Sequence, residues 1–462
     1  MPSPADLSAA ELLQAYRTRA LSPVEVVEAV IARIERCEPQ LKALYAYDPE
    51  AARAAAKASE ARWMKGQALP LDGVPGTIKE NIATRGTPMP VGTAARDLSP
   101  MPEDAPVAAR LREAGFIMLA KTTMPDYGML SSGLSSFHEL ACNPWDVTKN
   151  PGGSSAGAGA AGAAGYGPLH VGTDIGGSIR LPAGWCGLVG LKPSFGRVPI
   201  DPSYYGRVAG PMTRTVTDTA LMMREISKPD ARDGMSLPPQ EIDWLSLDID
   251  VKGLRIGLQL DPGIGIPVEP ETRAAIEAAG RAFAATGAIV EEAPAFMTRA
   301  MLDGLDDFWR QRAWAEIGAL PTEKQGKVLS YIFAWANVGE SLSGLRVYNG
   351  MSQMLAIKQA ALKQSAPFEF VLSPVAPVPA FPADYASPID DPREPFEHIV
   401  FTLPANMSDQ PSIAVPAAMT AGGLPIGLQI TGRRFDDLGV LRLARAWERL
   451  RPPLPAYPGA GA

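Results

Sequence analysis

Two serines that each follow a pair of glycines are the positions where the sequence best suggests nucleophilic chemistry: Ser154 and Ser178. A serine that attacks a carbonyl carbon needs backbone N–H groups aimed at the oxygen that becomes negative, and glycines leave that approach open. The loop that ends at Ser178 is therefore a candidate oxyanion hole. Its candidate donors are the backbone N–H groups of Ile175, Gly176, Gly177 and Ser178. Taken alone, a Gly-Gly-Ser sequence more often marks a turn.

Residues 157–162 match the GxGxxG pattern of dinucleotide-binding loops, but the sequence around them does not fit that function. The motif requires a buried strand immediately before its first glycine. Residues 145–151 read Trp-Asp-Val-Thr-Lys-Asn-Pro, which cannot form such a strand. A helix rich in glycine and alanine produces this match by chance, and we expect no cofactor.

Histidine or cysteine chemistry is a weaker alternative. A Ser-His-Asp triad would use His138, His170 or His398 as its base, and His170 lies in an apolar run typical of a core or turn residue. Cys186 has no visible base beside it and is interpreted as a small buried hydrophobe. The three cysteines are far apart and form no CxxC pair, so we expect no metal site.

Helix and strand patterns alternate around the two serines. Residues 71–78 predict a turn that enters a short strand, with Lys79 at its end. Residues 156–167 carry small side chains at nearly every position, which favours a helix that approaches a neighbouring sheet or helix closely. Residues 169–173 predict a strand that leads into the second serine loop.

The same alternation continues along the chain and predicts an α/β fold. Ser22 and Pro23 mark the start of one helix. Further helices are predicted at 49–65, 106–114, 271–285 and 438–450 and over much of 301–364, and further strands at 116–120, 254–258, 370–372, 412–415 and 426–430. Strands near both ends predict one large domain, 1–462, with a central mixed β-sheet flanked by helices on both faces. Within it we expect an N-terminal helical segment at 1–65 and a loop or insertion at 229–250.

Composition excludes several classes of partner. The hydrophobic fraction of 46% and the charged fraction of 20% are ordinary for a soluble globular protein. A net charge of -7 without a basic run argues against nucleic acid. No stretch of about 18 apolar residues predicts a membrane span, and the N-terminus does not read as a signal peptide. With its sparse cysteines, the sequence predicts a cytoplasmic protein.

Glycine-, proline- and serine-containing segments are spread over most of the chain, from about residue 70 to 450. They are Gly73-Val74-Pro75, Ile78-Lys79-Glu80-Asn81, Asn143-Pro144-Trp145-Asp146, Pro151-Gly152-Gly153-Ser154-Ser155, the run from Gly172 to Ala183, Gly190-Leu191-Lys192-Pro193-Ser194, Gly210-Pro211-Met212, and the run from Gly423 to Gln429. In these segments the sequence closely resembles the amidase signature family, with residues 70–215 as the signature core that holds the catalytic residues.

The resemblance implies an enzyme that hydrolyses a carboxylic amide, at a C–N bond other than a peptide bond, through an acyl-enzyme. By this resemblance Ser178 is the acylated nucleophile, Ser154 the relay that follows a cis peptide bond, and Lys79 the general base. A lysine acts as a base only when neutral, and burial among apolar groups lowers the ammonium pKa. The alternative for Lys79 is a surface lysine paired with Glu80.

The resemblance also implies supporting roles for neighbouring residues. Met129 and Ser131 are candidate substrate-binding residues. Ser155 either belongs to the relay and substrate site or stabilises its loop. Asp174 and Arg180 are expected to brace the nucleophile loop as an ion pair or through backbone hydrogen bonds.

Two positions depart from the family pattern. Ala156 follows the serine pair where many members have glycine, and one methyl group there should be tolerated at a helix start. Asp409 replaces a frequent glycine two residues before Pro411, which puts the conformation of that loop in question.

The expected substrate is a small-molecule amide, and the sequence favours an aryl or otherwise hydrophobic one. Aromatic side chains that suit an apolar pocket are dense in one helical stretch: Phe308, Trp309, Trp314, Tyr331, Phe333 and Trp335. Core packing explains them at least as well. The alternatives are a glutamine-hydrolysing subunit of an amidotransferase complex and a non-catalytic binding protein of the same fold. A homodimer is left open.

Overall fold

Residues 3–459, which a computed structural model describes, contain one mixed β-sheet of eleven strands. The strands are β1 Leu44–Tyr45, β2 Pro75–Lys79, β3 Ile117–Thr122, β4 Leu169–Asp174, β5 Val189–Lys192, β6 Val208–Thr213, β7 Arg255–Leu258, β8 Ile289–Glu292, β9 Phe370–Pro374, β10 Ser412–Met419 and β11 Pro425–Gly432. Their order across the sheet is β1-β3-β2-β4-β6-β5-β10-β11-β9-β7-β8. β2 is parallel to β3 and β4, and β7 is parallel to β8 and β9, whereas the other neighbours are antiparallel.

The described α-helices are α1 Ala9–Thr18, α2 Pro23–Leu41, α3 Pro49–Met64, α4 Pro106–Glu113, α5 Ala156–Ala164, α6 Arg180–Cys186, α7 Val216–Ile226, α8 Pro270–Ala285, α9 Arg299–Ile317, α10 Thr322–Gln325, α11 Ser330–Asn337, α12 Gly344–Ser365, α13 Leu403–Met407 and α14 Asp437–Leu450. Seven of these described helices, α1, α2, α3, α7, α9, α12 and α14, begin after a residue whose side chain caps the first turn. At α2 the Ser22 hydroxyl accepts the Glu25 N–H and the Glu25 carboxylate accepts the Ser22 N–H, a capping box that confirms the predicted start. Among the described helices, none has a segment both long and apolar enough to span a membrane.

Helices cover both faces of the sheet, because successive side chains of β10 point to opposite faces and each set packs against helices. Ile413 and Val415 join a buried apolar cluster with residues of α2, α7 and α14. Ala414, which points the other way, joins a second cluster with residues of α6, α9 and α12. The predicted α/β class, with one central mixed sheet flanked by helices, is confirmed.

The glycine- and alanine-rich helix α5 is packed too closely for larger side chains. All nine of its residues are buried. A Cβ on Gly157 would lie 2.1 Å from the Ala43 carbonyl oxygen and 2.5 Å from the Thr123 nitrogen. The predicted close approach of this helix is confirmed. Because residues 143–155, directly before α5, form no strand, its GxGxxG match lacks the strand-turn-helix surroundings of a dinucleotide site.

Four strands escaped the sequence patterns: β1, β5, β6 and β8. Strand β6 lies between β4 and β5 but contains Gly210 and Pro211, which are unfavourable in strands, so its sequence does not predict it. A Cβ on Gly210 would lie 2.2 Å from the Leu191 carbonyl oxygen, so close strand packing accounts for the glycine. Residues 227–254, which include the predicted loop at 229–250, contain no helix or strand.

The loop at Asp409 has a conformation that explains why glycine suits this position. Asp409 has φ of 62°, in the left-handed region that glycine adopts readily and aspartate tolerates better than most residues. Its carboxylate lies 2.5 Å from Lys358 Nζ and 3.0 Å from Arg434 Nη2. Two ion pairs therefore hold the substituted residue in this conformation.

We expect Gly157→Ala to destabilise the protein by about 1–3 kcal/mol, although alanine is the better helix former. The added methyl group has no room between the Ala43 carbonyl and Thr123. Thermal unfolding measures the effect, and Gly234→Ala is the control because a Cβ there meets no atom within 4 Å. An unchanged unfolding temperature for Gly157→Ala would contradict the close packing of α5.

Candidate active site

Strand β2 ends inside the protein, and its last residue, Lys79, is fully buried. Lys79 Nζ lies 2.8 Å from Ser154 Oγ and 3.0 Å from Thr173 Oγ1. The surface alternative, a lysine paired with Glu80, is wrong: the buried Glu80 carboxylate accepts the Gly92 N–H and contacts the ring of His138. The predicted burial of Lys79 is confirmed.

Burial lowers the pKa of Lys79 well below its ordinary value, because the interior solvates an ammonium ion poorly. The positive charge of Arg207 acts in the same direction, whereas the carboxylates of Asp174 and Glu80 oppose it. The net direction favours the neutral amine, which can accept a proton.

Ser154 and Ser178 lie on two loops that are joined directly. The peptide bond between Gly153 and Ser154 is cis, as the resemblance implies. The Ser155 N–H donates to the Ser178 carbonyl oxygen at 3.2 Å, which ties the loops together. Ser154 is buried, whereas Ser178 is partly exposed and lines a cleft. Within residues 3–459, the Ser178 hydroxyl has no hydrogen-bond partner, Ser154 Oγ included.

The loop before Ser178 keeps three backbone N–H groups free. Those of Ile175, Gly176 and Ser178 have no acceptor among the described residues, as an oxyanion hole requires. Gly177, the fourth predicted oxyanion-hole donor, is not available to a substrate, because its N–H donates to Asp174 Oδ1 at 2.9 Å. Gly177 has φ of 134°, and a Cβ there would lie 2.5 Å from Thr402 Oγ1. The glycine is thus required by the loop geometry, and its amide is not free.

Asp174 and Arg180 form an ion pair of 2.9 Å with no exposed surface on either side chain. The Asp174 carboxylate also accepts the backbone N–H groups of Gly177 and Ile179. Burial opposes its ionisation, but the Arg180 charge and these hydrogen bonds outweigh that effect and lower the pKa of Asp174 to about 2. The expected brace of the nucleophile loop is present in the structure.

The remaining Arg180 donors reach segments far along the chain. Its Nη atoms donate to the Thr402 carbonyl oxygen at 2.7 Å, to Gln429 Oε1 at 2.8 Å and to Asn406 Oδ1 at 2.6 Å. These three acceptors lie in or beside α13 and β11. The nucleophile loop is therefore attached to the C-terminal part of the sheet. Thr402, Asn406 and Gln429 were not identified as supporting residues from the sequence.

The cleft in front of Ser178 is narrow. Its wall is mostly apolar and consists of Gly128, Met129, Leu130, Ser131, Ile175, Gly176, Ser178, Trp309, Arg312, Phe396 and Ile399. The structure places the predicted pocket residues Met129 and Ser131 here. The candidate substrate-binding role of Ser155 is corrected, because this residue is buried and does not line the cleft. Its hydroxyl donates to the Thr173 carbonyl oxygen and accepts the Thr173 N–H, both at 3.3 Å. The loop-stabilising alternative for Ser155 is the one that the structure supports.

Of the six aromatic residues considered from the sequence, only Trp309 lines this cleft. Its ring packs edge-on against Phe396 at 5.1 Å. Trp314 packs instead against Phe333, and Trp335 is buried. Core packing therefore explains most of the aromatic density. Phe396, Ile399 and Arg312 were missed, because nothing in their local sequence marks them as neighbours of Ser178.

Comparison with known proteins decides the family. A family model described as Amidase matches residues 25–441. The chain belongs to the amidase signature family. Members of this family are enzymes that act on amides, and this amidase is accordingly an amide hydrolase.

Relatives of this amidase differ in what they act on. The A subunit of glutamyl-tRNA(Gln) amidotransferase from Chloroflexus aggregans is 36% identical over 462 residues, with 93% of each chain covered. A solved structure of a bacterial aryl acylamidase has a TM-score of 0.89 at 30% identity and covers 96% of both chains. The solved A subunit of the Thermotoga maritima amidotransferase has a TM-score of 0.78 at 25% identity, with 97% of this chain and 96% of its own chain covered.

The histidines and Cys186 of this amidase make structural contacts within the fold. Burial lowers the pKa of both His170 and His398 to about 3 and raises the pKa of the Cys186 thiol. His138 contacts Glu80, and no histidine lines the cleft with Ser178. All three cysteines are free. Within the described part of the chain, no group of three or more His, Cys, Asp or Glu is placed to hold a metal ion.

We expect Asp174→Ala to destabilise this amidase by about 3–5 kcal/mol, because it leaves the buried Arg180 guanidinium without its counter-ion. Denaturant unfolding measures the loss. The matched control is Asp391→Ala, which removes an ion pair with Arg393 on the surface and should leave the midpoint close to that of the wild type. Equal effects of the two substitutions would contradict the structural importance of the buried pair.

Proposed function

We propose that this amidase hydrolyses its substrate through an acyl-enzyme on Ser178, with Ser154 as proton relay and Lys79 as general base. The observation that carries the proposal is the buried Lys79 amine at 2.8 Å from Ser154 Oγ. The loop of Ser154 is hydrogen-bonded to the loop of Ser178, and Ser178 lines the cleft. A neutral amine can accept a proton from Ser154 while Ser154 accepts one from Ser178. The Ser154–Ser178 hydrogen bond then forms in the substrate complex.

In the first step Ser178 Oγ bonds to the carbonyl carbon as its proton passes to Ser154 and the Ser154 proton passes to Lys79. The carbonyl oxygen becomes negative and accepts hydrogen bonds from the N–H groups of Ile175, Gly176 and Ser178. The C–N bond breaks as the proton returns through Ser154 to the leaving nitrogen. Water then attacks the acyl-enzyme by the same proton path, which releases the acid and restores the Ser178 hydroxyl.

We expect Lys79→Ala to slow the acylation of Ser178 by about 100- to 10,000-fold without unfolding the protein. The substitution removes a neutral group and so leaves no unpaired charge in the interior. Labelling by a fluorophosphonate, followed by mass spectrometry of the Ser178 peptide, measures acylation. Ser154→Ala should give a severe but incomplete loss, because water can partly replace the hydroxyl.

The control for Lys79→Ala is Lys121→Met. Lys121 is also buried and its pKa is lowered to about 7, but its ammonium group donates to the Ile82 carbonyl oxygen. This variant should retain labelling. Labelling of Lys79→Ala at the wild-type rate would refute the role of the base, and Ser178→Ala must abolish labelling altogether.

We propose an amide with an apolar body, such as an anilide, as the substrate. The support is the wall of the cleft, where Leu130, Trp309, Phe396 and Ile399 surround Ser178. Burial of apolar surface against such a wall favours a hydrophobic ligand at about 25 cal/mol per Å². The high structural similarity to a bacterial aryl acylamidase points in the same direction.

A second candidate is a glutamine-hydrolysing subunit of an amidotransferase complex with a protein partner. The sequence identity to amidotransferase A subunits favours this function more directly than it favours an aryl amide. The cleft argues against free glutamine, which carries an ammonium group as well as a carboxylate. No acidic side chain is among the described residues of the cleft wall. An ammonium group would therefore lose water there without gaining a counter-ion.

A substrate panel on the purified chain separates the two functions. We expect anilides to be cleaved with at least about 100-fold higher kcat/KM than glutamine, from the cost of placing an unpaired ammonium group in the cleft. Release of aniline and of ammonia is measured in parallel. Glutamine hydrolysis as the dominant activity, or activity only within a complex isolated with the chain, would establish the second candidate instead.

A further inference from the structure

Arg312 is a positively charged residue of the cleft wall that lacks a negative partner. It lies on α9, is half-buried and lines the cleft together with Ser178. Its guanidinium carbon lies 4.2 Å from the centre of the Tyr204 ring, and it makes no hydrogen bond or ion pair with any described residue. By contrast, Arg299 and Arg310 of the same helix pair with Glu397 and Asp306.

A second guanidinium beside Tyr204 also lacks a carboxylate partner. Arg207 is buried, and its guanidinium carbon lies 5.1 Å from the centre of the same ring. It donates only to the carbonyl oxygens of Pro202 at 2.5 Å and Asn81 at 3.4 Å. Asp201 and Asp233 are acidic groups near Arg207, and neither forms an ion pair with it. The Asp233 carboxylate instead accepts the N–H groups of Ile200 and Met235.

Arg312 lines the cleft, and Arg207 lies near the same Tyr204 ring. Two cations without carboxylate partners create a positive potential there that a bound anion would satisfy. Charges that are withdrawn from water are normally paired in proteins, so the vacant donors of a half-buried arginine in the cleft of Ser178 indicate a ligand group. The planar guanidinium of Arg312 can donate two parallel hydrogen bonds to a carboxylate. Tyr204 holds that guanidinium in place by stacking.

We propose that Arg312 binds a carboxylate of the substrate, so that this amidase acts on amides that combine an apolar body with one carboxylate. The inference rests on the proposed function and narrows its substrate class. It agrees with a cleft that offers positive donors for an acid and no counter-ion for an amine.

The test compares matched anilides in the wild-type protein and in Arg312→Met. One pair is glutaranilic acid and its methyl ester, which differ by a charge on the acyl side. The other is 4-acetamidobenzoate and acetanilide, which differ by a charge on the amine side. Arg312→Met should lower kcat/KM for a carboxylated substrate by about 10- to 100-fold, mostly through KM, and change it less than about 2-fold for the neutral partner.

Which pair responds tells on which side of the scissile bond the carboxylate lies. Arg312→Lys should recover part of the loss, because it restores the charge without the planar pair of donors. Arg281→Met is the matched control, since Arg281 is an exposed arginine 3.8 Å from Glu277 on α8, and it should leave all four rates unchanged. An equal fall for charged and neutral substrates, or no fall at all, would overturn the assignment.

Binding measurements separate this inference from the proposed mechanism. In the Ser178→Ala background, calorimetric titration should show glutaranilic acid binding at least about 10-fold more tightly than its methyl ester, and Arg312→Met should abolish the difference. A wild-type protein that cleaves charged and neutral anilides equally, with equal binding of both, would refute the role of Arg312 and leave the acyl-enzyme mechanism intact. Preferential binding without labelling of Ser178 would refute the mechanism and leave the carboxylate site intact.

Discussion

The ion pair between Asp174 and Arg180 is the interaction on which the rest of the site depends. Asp174 ends β4 and fixes the backbone of the loop that follows, because it accepts two of that loop's N–H groups. Arg180 opens α6 and donates to groups near the C-terminal end of the chain. One buried pair thus sets both the shape of the Ser178 loop and its attachment to strands more than 200 residues away in sequence. Buried pairs of this kind add little net stability compared with apolar packing, so their value here is geometric.

Burial alone does not explain why Lys79 is suited to proton transfer. Lys121 and Lys192 are also fully buried, and burial lowers the pKa of each to about 7. Their ammonium groups donate to backbone carbonyl oxygens, which cannot give up a proton. Lys79 differs because both of its neighbours are hydroxyl groups, those of Ser154 and Thr173. A hydroxyl can donate and accept in turn, so the chemical identity of the contacts distinguishes a base from a structural lysine.

Much of the fold was predictable from local signals, whereas the walls of the site were not. Capping residues and apolar periodicity located most helices and the strands at both ends of the chain, because these features act over a few neighbouring residues. Strand β6 was not predicted, since glycine and proline are unfavourable in strands and Gly210 reflects close packing against β5. The motif that contains Ser178 was recognisable in the sequence. Which of its backbone N–H groups lack an acceptor, however, depends on the position of the Asp174 carboxylate. Arg312 lies at the cleft because of the position of α9 in the fold, and that position cannot be predicted from a short segment of sequence.

Helix α5 has a further consequence for the dynamics of the protein. Its small side chains contribute few interactions of their own, so its nine residues stay helical only while the surrounding strands and α6 enclose them. Partial opening of such a helix is unfavourable, because it would separate close backbone contacts such as that between Gly157 and the Ala43 carbonyl. Its amide hydrogens should consequently exchange with solvent only when the whole domain unfolds. The loop of Ser154 leads directly into this helix, and the rigidity of the proton relay is therefore tied to global stability and not to local flexibility.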